Sequence, residues 1–207
     1  MFGSSYFSRE YTDNQQIQAH KQNINNFFAQ KCFDLYMPGD EFLIVDSFEE
    51  RTRKTLLNYV SSNDITTVDY ECQQPDELHQ RIRLSDYLRE TCKTFRFCWA
   101  DIICSPRNCL NEIKDLFARK LLRNNGILAI TICMRGTTPI EFGAFKRNIL
   151  RLQENHGYIL TPIPVPHNLV IKTHKPTTFN LNNNMTDNGA IGKTGRTLTL
   201  FYHVTLA

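Results

Sequence analysis

The chain has 207 residues, of which 41% are hydrophobic and 22% are charged, and its formal net charge is +3. This composition excludes a disordered or fibrous chain, and the small positive charge permits a nucleic-acid partner without requiring one. No apolar run reaches the ~20 residues that span a bilayer, and the first residues lack the apolar core of a secretory signal, so we predict an intracellular protein, cytoplasmic or nuclear, with no membrane contact.

The first half of the chain predicts helices that alternate with short buried strands. Residues 1–15 are polar and predict an arm. Ile17, Ile24 and Phe28 recur at roughly helical spacing and predict the first helix. The elements predicted in this half are a helix over 16–33, a strand over 41–45, a helix over 48–60, a strand over 64–70, a short helix over 75–81, a strand over 82–84 and a helix over 87–93.

Residues 95–135 carry the strongest pattern in the chain. They predict a buried strand ending near Cys104, an amphipathic helix to Leu121, an asparagine-glycine stop, and a second buried strand over 127–133. A helix between two buried apolar runs is the βαβ signature, which implies a parallel sheet covered on both faces. In such sheets ligands bind where the strands end.

The last third predicts a helix and the final strands. The predicted elements are a helix over 140–155, a strand over 158–165, a short extra strand over 168–172, a mobile loop over 176–196 and a last strand over 197–205. The loop is rich in Asn, Thr and Gly and has no apolar periodicity. We therefore predict one α/β domain over 16–207, preceded by the arm.

This order of elements resembles the class I S-adenosylmethionine-dependent methyltransferase family. Trp99–Cys104 (WADIIC) looks like the fourth strand of that family, and Leu121–Gly136 looks like its helix end, tight turn and fifth strand. The resemblance implies a Rossmann-like fold: a doubly wound, mostly parallel seven-stranded sheet with an antiparallel last strand. It also implies S-adenosylmethionine as the cofactor.

The sequence departs from the family in the loop after the first strand. A typical member has a glycine-rich loop there, which lets the backbone approach the cofactor closely. Residues 46–52 (DSFEERT) contain no glycine. Two interpretations follow: the cofactor lies on a wider loop, or the site binds nothing.

Polar residues follow each of the first three predicted strands. Asp46, with Ser47 beside it, would either face the methionine ammonium of the cofactor or cap the next helix. An acid after the second strand, Asp69 or Glu71, is the usual partner of ribose hydroxyls in nucleotide-binding α/β folds. Asp86 lies where the family often contacts the adenine amine, and its alternative role is a helix cap.

The fourth and fifth strands supply the predicted catalytic and substrate residues. Asp101 interrupts an apolar strand, and a carboxylate there is costly to bury unless it is paired; it would face cofactor or substrate, or bond to backbone or a basic side chain. Ser105-Pro106 matches half of the Asp/Asn/Ser-Pro-Pro-aromatic turn of amino-methyltransferases that act on nucleic-acid bases, although Ser-Pro is also common in turns. Arg107 and Arg135 would contact substrate, or be solvated.

The seven cysteines form no CxxC pair, and no His or Cys spacing completes a zinc pattern. We predict no metal site and interpret the cysteines as reduced thiols.

Three functions remain open at this point. The favoured hypothesis is S-adenosylmethionine-dependent methyl transfer, with RNA or DNA as the acceptor. The second is a catalytically inactive methyltransferase-like module that binds a protein or nucleic-acid partner, which the glycine-free loop favours. A nicotinamide-dependent enzyme is weakened because no strand is followed by a glycine-rich turn.

Overall fold

The computed structural model of the chain describes residues 15–46, 50–69, 75–76, 78–102, 104–134, 136–169, 189–191 and 197–207. The helices in these ranges are α1 (Gln15–Phe33), α2 (Arg51–Leu56), α3 (Leu84–Glu90), α4 (Pro106–Ala118) and α5 (Pro139–His156). The strands are β1 (Phe42–Val45), β2 (Ile65–Val68), β3 (His79–Gln80), β4 (Phe95–Asp101), β5 (Leu122–Cys133), β6 (Tyr158–Pro162), β7 (Gly189–Ile191) and β8 (Thr197–Leu206).

The strands form one sheet in the order β3-β2-β1-β4-β5-β8-β6, and β7 pairs with β8. Strands β1 to β5 are parallel, whereas β8 runs antiparallel between β5 and β6. The predicted doubly wound, mostly parallel sheet with an antiparallel last strand is confirmed. The addition of β7 makes it eight-stranded. The strand order reverses between β1 and β4, which is the switch point where open α/β sheets bind ligands.

The sheet separates two apolar cores because successive strand side chains point to opposite faces. On one face Ile44 and Trp99 pack with Phe28 of α1, and on the other Leu43 and Leu128 pack with α3, α4 and α5. The ring centroids of Phe28 and Trp99 are 4.9 Å apart, and such a pair contributes roughly 0.5–1.5 kcal/mol beyond its burial. Helix α1 is therefore fixed across the central strands.

The asparagine-glycine pair that was predicted to stop a helix lies instead inside β5. Helix α4 ends at Ala118, and β5 begins at Leu122. Asn125 has a φ of 55°, and the β4–β5 register shifts opposite it, between Phe95 and Phe97. A Cβ on Gly126 would lie 2.0 Å from the carbonyl oxygen of Arg96. The glycine is thus needed for a bulge and a close backbone approach.

The prediction for residues 75–84 is wrong. Instead of a helix and then a strand over 82–84, the chain forms β3 at His79–Gln80, and α3 begins at Leu84. The Asp76 carboxylate accepts hydrogen bonds from the backbone N–H groups of Leu78 and His79, at 2.7 and 2.6 Å. This turn brings His79 alongside Thr67 of β2. A strand of two residues leaves no periodicity in the sequence.

Other boundaries also differ from the predictions. Residues 189–191 of the predicted loop form β7, and the part of the predicted strand over 168–172 that is described belongs to a 3-10 turn, His167–Leu169. The remainder of that strand and loop, and the arm before Gln15, lie outside the described residues. Within the described ranges, no helix has the length and apolar content needed to cross a bilayer.

Candidate functional site

Three aspartates lie in a row at the carboxyl edge of the central strands. Val45 of β1 pairs with Val68 of β2 and with Ala100 of β4. The residues that follow these three are Asp46, Asp69 and Asp101. Because side chains alternate along a strand, all three belong to the face that α1 covers.

Two threonines continue this row across the sheet. Asp101 pairs with Thr131 of β5, and Thr131 pairs with Thr199 of β8. The two threonine hydroxyls are 3.0 Å apart, and the indole N–H of Trp99 donates to the Thr131 hydroxyl at 3.0 Å. The sequence therefore places a polar row over five strands, directly beyond an apolar core. We refer to Asp69, Asp46, Asp101, Thr131 and Thr199 as the polar row.

Asp46 holds the start of helix α2. It is buried, and its Oδ2 accepts a hydrogen bond from the backbone N–H of Arg53 at 2.9 Å. This contact corresponds to the helix-capping alternative, because an early helix N–H has no partner within its own helix. The cofactor role of Asp46 stays a prediction. Asp69 is also buried, and its backbone N–H donates to the carbonyl of Gln80 at 3.0 Å, which anchors β3 beside it.

Asp101 forms an ion pair with Lys21 of α1, through its Oδ2. The side chains are 11% exposed for Asp101 and 23% exposed for Lys21. The Lys21 Nζ also lies 5.1 Å from the centroid of the Trp99 ring. Oδ1 of Asp101 is buried and has no hydrogen-bond partner among the described residues. The sequence predicted that this carboxylate is costly to bury unless it is paired, and in the described structure only one of its two oxygens has a partner.

Glu50, the residue before α2, has a left-handed backbone conformation without being glycine. Glu50 precedes α2 with φ 51° and ψ 37°, a conformation that is uncommon outside glycine. Its carboxylate lies 2.9 Å from Nδ1 of His79 and 3.4 Å from Nη1 of Arg53. These two partners hold the turn. A groove lined by Gln18, Ala19, Gln22 and Arg51 lies where α1 meets the start of α2.

Asp86 does not join the polar row. It was predicted to end the third strand, but that strand is β3, and Asp86 lies in the first turn of α3 instead. Its carboxylate pairs with Arg89 at 3.0 Å. Asp86 therefore lies in a helix and not at a strand end, and its predicted adenine contact stays a prediction.

Ser105, Pro106 and Arg107 form the start of helix α4. The Ser105 hydroxyl accepts from the N–H of Asn108 at 3.4 Å, and Pro106 is the first helical residue, where its missing N–H costs nothing. Arg107 is exposed. These contacts are those of a helix cap, and the predicted catalytic and substrate roles stay predictions.

Ser47, Glu71 and Arg135 lie outside the described residues. The residue that sequence reasoning missed is Lys21. A signal for it was present, because Lys21 lies three residues before Ile24 and seven before Phe28, on the buried side of α1.

The described thiols give no sign of a metal-binding group, and two of them have raised pKa values. Among the described residues, no three His, Cys, Asp or Glu side chains come together as a metal-binding group. Burial raises the pKa of the Cys98 thiol. A hydrogen bond with Cys104, together with burial, raises the pKa of Cys109. Both groups are therefore held as neutral thiols.

No protein-family model and no curated protein matches the sequence. Solved structures do match. A Corynebacterium glutamicum protein is 10% identical, covers 99% of this chain and 99% of its own, and has a TM-score of 0.52. The N-methyltransferase NodS from Bradyrhizobium japonicum WM9 is 8% identical, covers 93% of this chain and 99% of its own, and has a TM-score of 0.50. Together with the sheet order, this likeness shows that the chain has the Rossmann-like fold of the class I methyltransferases.

Proposed function

We propose that the protein is a methyltransferase that binds S-adenosylmethionine at the carboxyl edge of its sheet. The observation that carries this proposal is the polar row, with Asp69, Asp46 and Asp101 on one face at the switch point of the strand order. Ligands of open α/β sheets bind in this crevice. NodS, which shares the fold, is an N-methyltransferase.

The residues of the polar row suit parts of such a cofactor. Asp69 ends β2, the position from which an acid accepts hydrogen bonds from ribose hydroxyls. Asp46 fixes the first turn of α2, and Glu50 gives the adjoining loop the left-handed turn that glycine would otherwise supply. When bound, the cofactor supplies a methyl group on a positively charged sulfur. The chain has to position the acceptor in line and exclude water.

The acceptor predicted from the sequence is nucleic acid, and one feature supports it. Arg107 is exposed in the first turn of α4, which begins five residues after Asp101, so its guanidinium is accessible to a phosphate near the edge of the sheet. Transfer of labelled methyl groups to RNA or DNA, reduced by Arg107→Ala and by added salt, would support this acceptor.

The inactive-module alternative is favoured by one contact. Lys21 already occupies Oδ2 of Asp101, the carboxylate that would face the acceptor. A module of this kind would fold as the enzyme does and bind a partner without transferring a methyl group.

Calorimetric titration with S-adenosylmethionine and S-adenosylhomocysteine tests the proposal. We expect both to bind the unaltered protein, and Asp69→Asn to weaken binding at least tenfold, since a hydrogen bond to a charged group contributes roughly 1.5–3 kcal/mol. Asp64→Asn is the matched control, because Asp64 lies at the opposite, amino end of β2. If neither ligand gives a heat of binding in protein shown to be folded, the result favours the inactive-module hypothesis.

A further inference from the structure

Lys21 occupies a place built for a positively charged nitrogen. Its Nζ contacts Oδ2 of Asp101 and lies 5.1 Å from the centroid of the Trp99 ring, which is itself fully buried. A carboxylate and the face of an indole are two groups that attract an ammonium, and their attraction increases as water is removed.

The carboxylate of Asp101 can accept more hydrogen bonds than Lys21 donates to it. Among the described residues, Oδ1 of Asp101 has no hydrogen-bond partner. Buried polar atoms are usually satisfied, so this oxygen can accept a hydrogen bond from a second N–H of a bound ammonium.

Lys31, on the same helix, shows how an ordinary surface lysine differs. Its Nζ lies 3.9 Å from Asp34 and 5.8 Å from the Phe27 ring, yet its side chain is 40% exposed. The Lys21 side chain is turned inward onto the edge of β4, where its partner is 80 residues away in sequence.

We propose that the carboxyl end of β4 is a subsite for the ammonium group of the methyl acceptor, and that Lys21 of the same chain occupies it in this structure. The acceptor class is a primary alkylamine, such as a lysine side chain or a small amine of similar length. This inference rests on the proposed methyl transfer from S-adenosylmethionine, and it names an acceptor other than the nucleic acid predicted from the sequence.

The step balances without any further reactant. The acceptor binds as an ammonium against Asp101 and loses one proton to water. The lone pair of the neutral amine attacks the methyl carbon of the cofactor, a C–N bond forms, and the S–CH₃ bond breaks with its electron pair left on sulfur. The products are an N-methylammonium and a neutral thioether.

The test supplies a free amine to a variant that lacks the Lys21 ammonium group. Lys21→Ala is incubated with S-adenosylmethionine and n-butylamine, which reproduces the lysine side chain, and methylated butylamine is measured by mass spectrometry. We expect at least tenfold more product than with the unaltered protein or with Lys31→Ala. Adding Asp101→Asn to Lys21→Ala should return the product to the background level.

A second variant covers the case in which Lys21→Ala does not fold. Lys21→Met keeps the aliphatic stem over Trp99 and removes only the ammonium, and methylamine then serves as the acceptor. We expect dimethylamine to form with this variant and not with the unaltered protein.

Two results would overturn the subsite. If Lys21→Ala and Lys21→Met bind S-adenosylmethionine by calorimetry but methylate neither amine, the subsite is wrong and the cofactor proposal stands. Methylation of RNA alone by these variants would likewise overturn it. If no variant and no unaltered protein binds the cofactor, both proposals fail together.

Discussion

At each edge of the sheet an aspartate pairs with a basic side chain, and the two pairs differ in how fully their hydrogen-bonding positions are filled. At the amino edge, Asp40 accepts from Nη1 of Arg96 at 2.6 Å and from the N–H of Met37 at 2.8 Å, and Nη1 of Arg123 lies 3.6 Å away. Arg96 also donates from Nε to the carbonyl of Asn125 at 3.0 Å. The side chains of Asp40 and Arg96 are 5% and 8% exposed.

At the carboxyl edge, the pair of Lys21 and Asp101 is more exposed and leaves one carboxylate oxygen without a partner among the described residues. A buried charge is stabilised only when its remaining hydrogen-bonding positions are filled. The amino-edge pair meets this condition and belongs to the scaffold. The carboxyl-edge pair does not, which is the reason to assign it to the site.

The largest effect we expect comes from breaking the amino-edge pair. Asp40→Asn leaves the Arg96 guanidinium buried without its carboxylate, and removing one partner of a buried pair costs about 3–5 kcal/mol. Urea denaturation measures this loss in free energy of unfolding. Asp34→Asn is the control, since that carboxylate is exposed and we expect a change below ~1 kcal/mol. Equal losses in the two variants would contradict the scaffold role.

Breaking the carboxyl-edge pair should affect activity more than stability. Asp101→Asn should cost about 1 kcal/mol of unfolding free energy, because the pair is partly exposed. In a Lys21→Ala background it should lower methyl transfer to n-butylamine roughly 10–100-fold, which corresponds to losing a hydrogen bond to a charged acceptor group. Denaturation of Asp101→Asn and initial rates in the Lys21→Ala background separate the two effects. A stability loss as large as that of Asp40→Asn, with unchanged transfer, would make this pair part of the scaffold too.

A neutral buried group near the amino edge should give a smaller effect that depends on pH. The Tyr158 hydroxyl donates to the carbonyl of Leu122 at 3.1 Å, and Tyr158→Phe should cost about 1 kcal/mol. Burial raises the pKa of Tyr158 above its ordinary value of 10.0. The folded state therefore disfavours the phenolate, and this contribution to stability is present below pH 10 and lost as the pH rises through the folded pKa. Tyr158→Phe should show a shallower loss of stability above pH 10; an unchanged alkaline slope would count against the assignment.

The smallest effect belongs to a fully exposed carboxylate. Glu141 accepts hydrogen bonds from the N–H and the hydroxyl of Thr138, at 2.7 and 2.9 Å, and completes the cap of α5. The backbone hydrogen bond, followed by the hydroxyl, lowers the pKa of Glu141 below 4.5. Its contribution is present above pH 4.5 and lost as the pH falls through the folded pKa. The Tm of Glu141→Gln, measured by thermal denaturation between pH 3 and 6, should approach the Tm of the unaltered protein only near pH 3.

The sequence predicted the elements that have a long periodic pattern. Helices α1 and α5 and strand β8 were found near their observed bounds because each has a long run with a clear pattern, whereas only the part of β5 from Ile127 onward was predicted. Strand β3 was missed because its two residues are placed by a turn at Asp76 and by pairing with β2. The Asn-Gly pair was misinterpreted because a bulge and a helix stop require the same residues.

The candidate site was predicted in part for a similar reason. Asp46, Asp69 and Asp101 could be placed because each follows a recognisable strand, and parallel strands share their carboxyl edge. Asp86 was misplaced together with its strand. The local pattern places Lys21 on the buried side of α1, but its partner could not be predicted, because the pairing with Asp101 spans 80 residues of sequence.

The bulge at Gly126 also links three separate parts of the chain at the amino edge. Only glycine fits against the Arg96 carbonyl, and the adjoining Asn125 carbonyl holds the guanidinium that reaches Asp40. Glycine, arginine and aspartate at these three positions therefore act as one unit, in which a steric requirement in β5 positions the guanidinium that neutralises a buried carboxylate ahead of β1.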